Sequence, residues 1–126
     1  MVRKPILIVD DEAIVRESLR DWLQDAGYQV ATAETGEQAL EMMEKQEFGI
    51  LVLDVRLPGK TGIRVLKEVK AKQPDIKSII ITAYPYAETA EEAMKLGAID
   101  YLVKPFSPDD LERLIRETLL KFESQG

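Results

Sequence analysis

The sequence predicts an α/β fold with a parallel sheet of five strands, on three observations. Short apolar runs alternate with longer stretches along the chain. The longer stretches are amphipathic, with the 3.6-residue period of helices that cover a sheet. The chain has 126 residues, the size of one compact domain with one sizeable core. We therefore expect residues 1–126 to form a single domain with helices on both faces of the sheet.

The apolar runs predict strands at residues 5–10, 28–33, 49–54, 77–82 and 99–103. The first, third and fourth are uniformly apolar, as expected of strands that are covered on both faces. The second contains Gln29 and Thr32, and the fifth contains Asp100 and Tyr101, so we place these two at the edges. With right-handed crossovers the simplest strand order is 2-1-3-4-5, that of the flavodoxin-like doubly wound fold.

The first helix follows the first strand and is predicted from a stripe of apolar residues at helical spacing. The stripe consists of Val15, Leu19, Trp22, Leu23 and Ala26. Gly27 is expected to end this helix, because glycine adopts the backbone conformation of a helix C-terminus without strain.

Capping signals predict where two of the other helices begin. The second begins at Thr35, and Gln38 has the spacing of a capping box. The fifth has Ser107 as its N-cap, and Asp110 completes a second box. The remaining two helices are predicted at residues 63–72, with Val65, Leu66 and Val69 facing inward, and 87–96.

The composition excludes several kinds of chemistry. The absence of cysteine excludes disulfides, thiolate zinc sites and thiol nucleophiles, and the absence of histidine excludes imidazole ligands and bases. With 17 basic and 23 acidic residues the net charge is −6, which argues against direct nucleic-acid binding. No apolar run approaches the roughly 20 residues of a membrane span, and the N-terminus lacks the pattern of a signal peptide. We expect a cytoplasmic protein.

Polar residues interrupt the apolar runs at the carboxyl ends of four predicted strands. Asp10 and Asp11 follow the first strand, and Asp54 ends the third. Thr82 ends the fourth, and Lys104 follows the fifth. Because the carboxyl ends of parallel strands share one edge of the sheet, and strands one and three flank the crevice of this fold, we expect these side chains to meet there.

Each of these residues has a simpler reading when taken alone: Asp11 as a helix cap, Thr82 as a strand residue, Lys104 as a solvated loop lysine. Together they indicate a cation site. Carboxylates about 5 Å apart repel by about 3 kcal/mol per pair at an effective dielectric constant of 20. Oxygen ligands without His or Cys favour Mg²⁺, or Mn²⁺, over zinc. With the metal, Lys104 and Thr82 around a phosphoryl group, Asp54 is a candidate nucleophile for an acyl phosphate.

These residues resemble the receiver domain of two-component response regulators, of the chemotaxis-regulator type. The resemblance rests on "ILIVDDE", "LVLDVRLPGKTG", "IIITA" and "GAIDYLVKPF", in this order and at these strand ends. It implies a phosphorylation-activated signalling switch. Asp54 would accept a phosphoryl group from the phosphohistidine of a sensor histidine kinase in a Mg²⁺-dependent reaction. The domain would catalyse only its own phosphotransfer and dephosphorylation, so it would not be an enzyme for external substrates.

The resemblance also implies the ligands of the metal. Asp11 would bind Mg²⁺ directly, Asp10 mainly through water, and Asp54 and the backbone carbonyl of Arg56 would complete the protein's share. From its position we also expect Asp11 to cap the first helix. Glu12 we interpret as an ordinary residue of the first helical turn, and not as a ligand.

A second set of implied roles concerns the switch. Lys104 would pair with the phosphate, and its bond to Pro105 would be cis, whereas trans is the general default before proline. Thr82 would rotate toward the phosphate and Tyr101 would move inward, although an ordinary edge-strand aromatic is the simpler reading of Tyr101. Arg56 and Tyr84 occupy positions at which family members tune autodephosphorylation.

The expected output and homodimer surface is formed by the fourth helix, fifth strand and fifth helix, with Glu91, Lys95, Tyr101 and Arg113. Through it the domain would control an output domain or a downstream protein. The chain is either a stand-alone receiver or the N-terminal part of a regulator, and "TAYPYAETAEEAMKLGAIDYLVKPF" resembles regulators that activate transcription through an ATPase module.

Two other classes remain open from the sequence. One is a metal-dependent phosphatase like the haloacid dehalogenases, although their D-x-D motif and cap are missing. The other is an interaction module that does not depend on phosphorylation. A flavin carrier is disfavoured, because an acidic first loop offers no donors to a phosphate.

Overall fold

Five strands and five helices alternate along the computed structural model, which describes residues 4–57, 61–83 and 87–123. The strands are β1 (Ile6–Val9), β2 (Val30–Ala33), β3 (Ile50–Asp54), β4 (Lys77–Thr82) and β5 (Asp100–Val103). The helices are α1 (Ala13–Asp25), α2 (Gly36–Lys45), α3 (Gly62–Lys72), α4 (Ala87–Lys95) and α5 (Pro108–Glu123). The strands form one parallel sheet in the order β2-β1-β3-β4-β5, which confirms the predicted topology.

Some strands are shorter than predicted. The second was expected from residue 28, but Tyr28 donates its N–H to the carbonyl of Leu23 and so closes the turn after α1. The first strand spans residues 6–9 instead of 5–10, because the backbone leaves the strand at Asp10 to begin the loop that carries the acids. The third and fifth strands each begin one residue later than predicted.

Both faces of the sheet are covered, so alternate residues of the central strands belong to two different cores. On one face Leu7, Leu51 and Ile80 pack with α2 and α3, together with Ala93 of α4. On the other face the core joins the sheet to α1 and α5, and its buried residues are Ile6, Ile8, Leu19, Leu23, Ile50, Val52, Ile79, Ile81, Leu111 and Ile115. The edge strands β2 and β5 are the partly exposed ones, as predicted.

The buried face of α1 differs from the predicted stripe. Its buried residues are Arg16, Leu19 and Leu23, whereas Trp22 is 44% exposed. The prediction considered only apolar side chains and therefore left Arg16 out of the buried face. Arg16 turns inward and donates a hydrogen bond to a backbone carbonyl. Ala26 is likewise exposed, and Gly27 follows it with a φ of 98°.

The predicted capping box is reciprocal at α5, whereas at α2 Thr35 caps the helix but the Gln38 side chain bonds the residue before the N-cap. The hydroxyl of Thr35 accepts the Gln38 N–H at 3.1 Å, while the Gln38 side chain accepts the N–H of Glu34 at 2.8 Å. At α5 the Asp110 N–H donates to the Ser107 hydroxyl at 3.2 Å, and the Ser107 N–H donates to the Asp110 carboxylate at 3.4 Å.

Gly62 brings the start of α3 directly against the end of β3. Its N–H donates to the carbonyl of Val55 at 2.8 Å. A Cβ at this position would lie 2.5 Å from the carbonyl oxygen of Asp54 and 2.6 Å from Cα of Val55. Because backbone atoms cannot move aside as a flexible side chain can, this close approach requires glycine.

Gln73 joins three backbone segments after the end of α3. Its Nε2 donates to the carbonyls of Met43 and Gln46 at 3.0 Å each, and its Oε1 accepts the N–H of Phe48 at 3.0 Å. One amide side chain therefore satisfies backbone groups of α2 and of the loop that leads into β3.

None of the helices in the described ranges is long and apolar enough to cross a bilayer.

Candidate functional site

Four carboxylates converge at the carboxyl edge of the sheet, where β1 and β3 end side by side. The register pairs Val9 with Leu53, so Asp10 and Asp54 leave adjacent strands at the same level. Asp10, Asp11, Glu12 and Asp54 can each place a carboxylate oxygen within 4.8 Å of the others. Asp10 and Asp54 are buried, whereas Asp11 and Glu12 are exposed, so the cluster has a buried floor and an open side.

Lys104 bridges the two buried acids. Its Nζ lies 2.8 Å from Oδ2 of Asp10 and 2.8 Å from Oδ2 of Asp54, with Oε1 of Glu12 at 3.2 Å. The backbone N–H of Lys104 donates to the carbonyl of Thr82 at 2.7 Å, which continues the pairing of β4 with β5. The sheet thus carries this lysine across to the acids, and its peptide bond to Pro105 is cis.

The two buried carboxylates are held in the same way. Oδ1 of Asp10 accepts the N–H of Glu12 at 2.9 Å, and Oδ1 of Asp54 accepts the N–H of Arg56 at 2.9 Å. In each aspartate one oxygen is tied to the backbone two residues later, and the other oxygen contacts Lys104. Because both side chains are bonded at both oxygens, their rotamers are fixed.

The electrostatics of the cluster are those of a cation site. Burial raises the pKa of Asp54 above its usual value of 3.8, although Lys104 and the Arg56 N–H oppose the shift. Burial acts to lower the pKa of Lys104, but the carboxylates of Asp10 and Asp54 outweigh it and raise this pKa. Four carboxylates and one ammonium leave a net charge of −3 when all are ionised. This set of carboxylate oxygens suits a divalent cation that prefers oxygen ligands.

The residues assigned to the switch lie on β4 and β5. Thr82 is buried at the end of β4, directly beside Val103 of β5. Tyr101 is 40% exposed on β5, so its side chain is outside the core in this structure. Arg56 is exposed and borders the acids through its backbone. Tyr84, the other position assigned to autodephosphorylation, lies outside the described residues.

Two parts of the sequence interpretation near the acids are wrong. Asp11 does not cap α1: Glu12 occupies the N-cap position, and no side-chain bond caps the helix. Glu12 is therefore not a first-turn residue, and its carboxylate joins the cluster. Its proximity to Lys104 depends on a contact between residues 92 positions apart, which a local sequence pattern does not report.

Arg16 is a residue of this region that the sequence pattern missed. It is 8% exposed, and its Nη1 donates to the backbone carbonyl of Asp10 at 2.8 Å. The available signal was its position, since it lies one helical turn after Glu12 on the face that leads to Leu19 and Leu23.

Residues 6–116 match the family model of the response regulator receiver domain. The chain belongs to this family. This receiver domain is accordingly a phosphorylation-activated signalling switch of the two-component type, which confirms the resemblance identified from the sequence.

Named relatives and solved structures agree. The receiver is 45% identical over 118 residues to the transcriptional regulatory protein ZraR of Escherichia coli K12, covering 90% of this chain and 26% of ZraR. The chain therefore spans about a quarter of that relative. The CheY-like receiver domain protein of Methanospirillum hungatei JF-1 superposes with a TM-score of 0.95 at 33% identity, covering 99% of this chain and all of the other. TrrA of Thermotoga maritima, solved in complex with Mg²⁺–BeF, gives 0.81 at 37% identity, covering 90% and 97%.

Proposed function

We propose that Asp54 is the phosphoacceptor of this receiver and that the phosphoryl donor is the phosphohistidine of a sensor histidine kinase. The observation that carries the proposal is the bridge of Lys104 between Asp54 and Asp10 within a cluster of four acids. Asp54 ends a central strand, is buried, and has one oxygen fixed by the Arg56 N–H. The match of residues 6–116 supports residues 1–126 acting as one receiver domain.

The same cluster would hold Mg²⁺, with Mn²⁺ as an acceptable substitute. Asp11 offers an exposed carboxylate as a direct ligand, Asp10 a buried one that acts mainly through water, and Asp54 and the carbonyl of Arg56 complete the set. The bound metal would neutralise negative charge on the transferring phosphoryl oxygens. The likeness to TrrA, which was solved with Mg²⁺–BeF, supports this assignment.

The chain's own residues supply the acceptor and the charge around it. A carboxylate oxygen of Asp54 forms a bond to phosphorus while the P–N bond of the donor breaks, and the electron pair returns to the imidazole nitrogen, which takes a proton from water. The ammonium of Lys104 would exchange its contact with the Asp54 carboxylate for one with a phosphoryl oxygen. Attack of water on phosphorus later releases phosphate and restores the Asp54 carboxylate, which is the autodephosphorylation of the domain.

Thr82 and Tyr101 would transmit the change. The hydroxyl of Thr82 would turn to the phosphoryl oxygens, and Tyr101, now 40% exposed, would move into the space it leaves. Both lie on neighbouring strands, since β4 pairs with β5. The affected surface is that of α4, β5 and α5, on which Glu91, Lys95 and Arg113 are exposed.

Through that surface the receiver would control an output domain or a downstream protein, or pair with a second copy of itself. Because relatives such as ZraR are transcriptional regulatory proteins and this chain spans about a quarter of ZraR, we assign the output to transcription. The acidic receiver itself would not contact nucleic acid, and the protein would act in the cytoplasm.

The test is phosphorylation by a small donor. The protein is incubated with phosphoramidate and Mg²⁺, and its intact mass is measured. Wild type is expected to gain one phosphoryl group, and Asp54→Asn none. Asp25→Asn, an exposed aspartate at the end of α1, is the matched control and should be modified like wild type. An unmodified wild type, or an equally modified Asp54→Asn, would overturn the assignment. Sustained turnover of p-nitrophenyl phosphate would favour the phosphatase class instead.

A further inference from the structure

We propose that Arg16 is a positioning residue for the acidic cluster, acting through Asp10. The inference rests on the proposed function, because it concerns how the same site binds its divalent cation. Among the described residues Arg16 is the one buried basic side chain, with 9% of the side chain exposed. It lies on α1 directly behind the loop that carries Asp10, Asp11 and Glu12.

The contacts of Arg16 close a ring with the acidic loop. Its Nη1 donates to the carbonyl of Asp10 at 2.8 Å in a buried bond. Its backbone N–H donates to the carbonyl of Glu12 at 3.0 Å, and the N–H of Glu12 donates to Oδ1 of Asp10 at 2.9 Å. The backbone of Asp10 is thereby fixed from one side and its carboxylate from the other, which leaves Oδ2 directed at Lys104.

A buried guanidinium needs compensation for its lost hydration. One partner is the Asp10 carbonyl, and the other is Oε1 of Glu34 at 3.5 Å, on a side chain that is 69% exposed. The longer, exposed pair is weakly stabilising. The buried bond to Asp10 is therefore the contact that keeps Arg16 in place, and the residue it restrains is the most deeply buried acid of the cluster.

Two effects of Arg16 on cation affinity have opposite signs. As a nearby positive charge it repels a divalent cation, so its removal would strengthen binding. As a support for Asp10 it keeps the carboxylate in place, so its removal would weaken binding. Loss of a residue that orients a ligand costs about 10- to 100-fold in metal affinity. We expect the second effect to be the larger.

The experiment measures Mg²⁺ affinity by titration calorimetry and the ¹³Cγ chemical shift of Asp10 by NMR, with thermal unfolding recorded beside them. Arg16→Met is expected to weaken Mg²⁺ binding about tenfold and to shift the Asp10 resonance. Arg16→Lys, which keeps the charge but not the forked geometry, should lose about threefold. Arg20→Met is the matched control, because it removes the same charge from the same helix. Arg20 pairs with Asp21 and not with the acidic cluster. It should change affinity less than about twofold.

Equal or tighter Mg²⁺ binding by Arg16→Met would overturn the proposal, because the charge effect would then dominate. If Arg16→Met does not fold, Arg16→Lys decides, and an affinity equal to that of wild type overturns the proposal. Glu34→Gln should cost less than Arg16→Met. If it costs as much, the acting contact is the ion pair with Glu34 and the inference fails. These outcomes are separate from the proposed function, which fails if wild type gains no phosphoryl group or if Asp54→Asn gains one equally well.

Discussion

Lys104→Met should destabilise the metal-free protein by about 3 kcal/mol, because Lys104 is the internal counterion of the acidic cluster. Methionine keeps most of the length of lysine and an apolar stem, and it lacks the ammonium. In wild type that ammonium contacts Asp10 and Asp54 at 2.8 Å each. Its loss leaves two buried carboxylates beside each other with no positive partner.

The magnitude follows from the geometry and from the alternatives open to the acids. At an effective dielectric constant of 20, each contact of 2.8 Å is worth about 6 kcal/mol before desolvation is subtracted. Much of this cancels against the cost of burying three charges. The loss also has an upper limit, since one carboxylate can take up a proton. From a usual pKa of 3.8 to pH 7 that costs about 4 kcal/mol.

The measurement is urea unfolding at pH 7 in EDTA and again with saturating Mg²⁺. The difference between Lys104→Met and wild type should shrink in Mg²⁺, because the metal supplies the missing positive charge and should therefore bind the variant more tightly than wild type. At the same saturating Mg²⁺ concentration the tighter binder gains more stability, by about 1.4 kcal/mol for each tenfold in affinity. Lys72→Met is the control: its ion pair with Glu44 is exposed and should matter by less than about 1 kcal/mol. Equal stabilities in EDTA, or a difference that Mg²⁺ leaves unchanged, would refute the reasoning.

Three further predictions concern stability. Burial raises the pKa of Asp54, so metal-free wild type should lose stability as the pH rises from about 3.8 through the raised value. The free energy of unfolding of Asp54→Asn relative to wild type, measured in urea and EDTA, should therefore increase from pH 4 to pH 7. A difference that stays constant over this range would contradict the prediction. Gly62→Ala should cost more than about 2 kcal/mol in thermal unfolding, since its Cβ would meet backbone atoms, and a change below 1 kcal/mol would show that the loop yields. Gln73→Ala should lower the free energy of unfolding by about 2 kcal/mol, because three backbone groups lose their hydrogen-bond partner. The control Gln24→Ala, at an exposed position, should be neutral. Similar values for the two variants would show that the bonds of Gln73 do not stabilise the fold.

The sequence predicted the topology because periodicity and strand composition are direct consequences of burial. The edges were recognisable since Gln29 and Asp100 would be costly inside a covered strand. The position of the acids at one edge followed from the parallel arrangement alone. Two contacts were not predicted, for different reasons. Glu12 meets Lys104, which is distant in sequence, and Arg16 turns inward to a backbone carbonyl only six residues away, which a pattern of apolar residues does not register.

The members of the site are far apart along the chain: Lys104 is 94 residues from Asp10 and 50 from Asp54. Closing such long loops is entropically unfavourable until strands pair, and chains emerge from synthesis N-terminus first. Asp10 and Asp54 are therefore synthesised before Lys104, which reaches them only when β5 pairs with β4. A nascent or misfolded copy has an aspartate but no assembled pocket. With Asp54 as the proposed phosphoacceptor, uptake of a phosphoryl group would therefore require that β5 has already paired with β4.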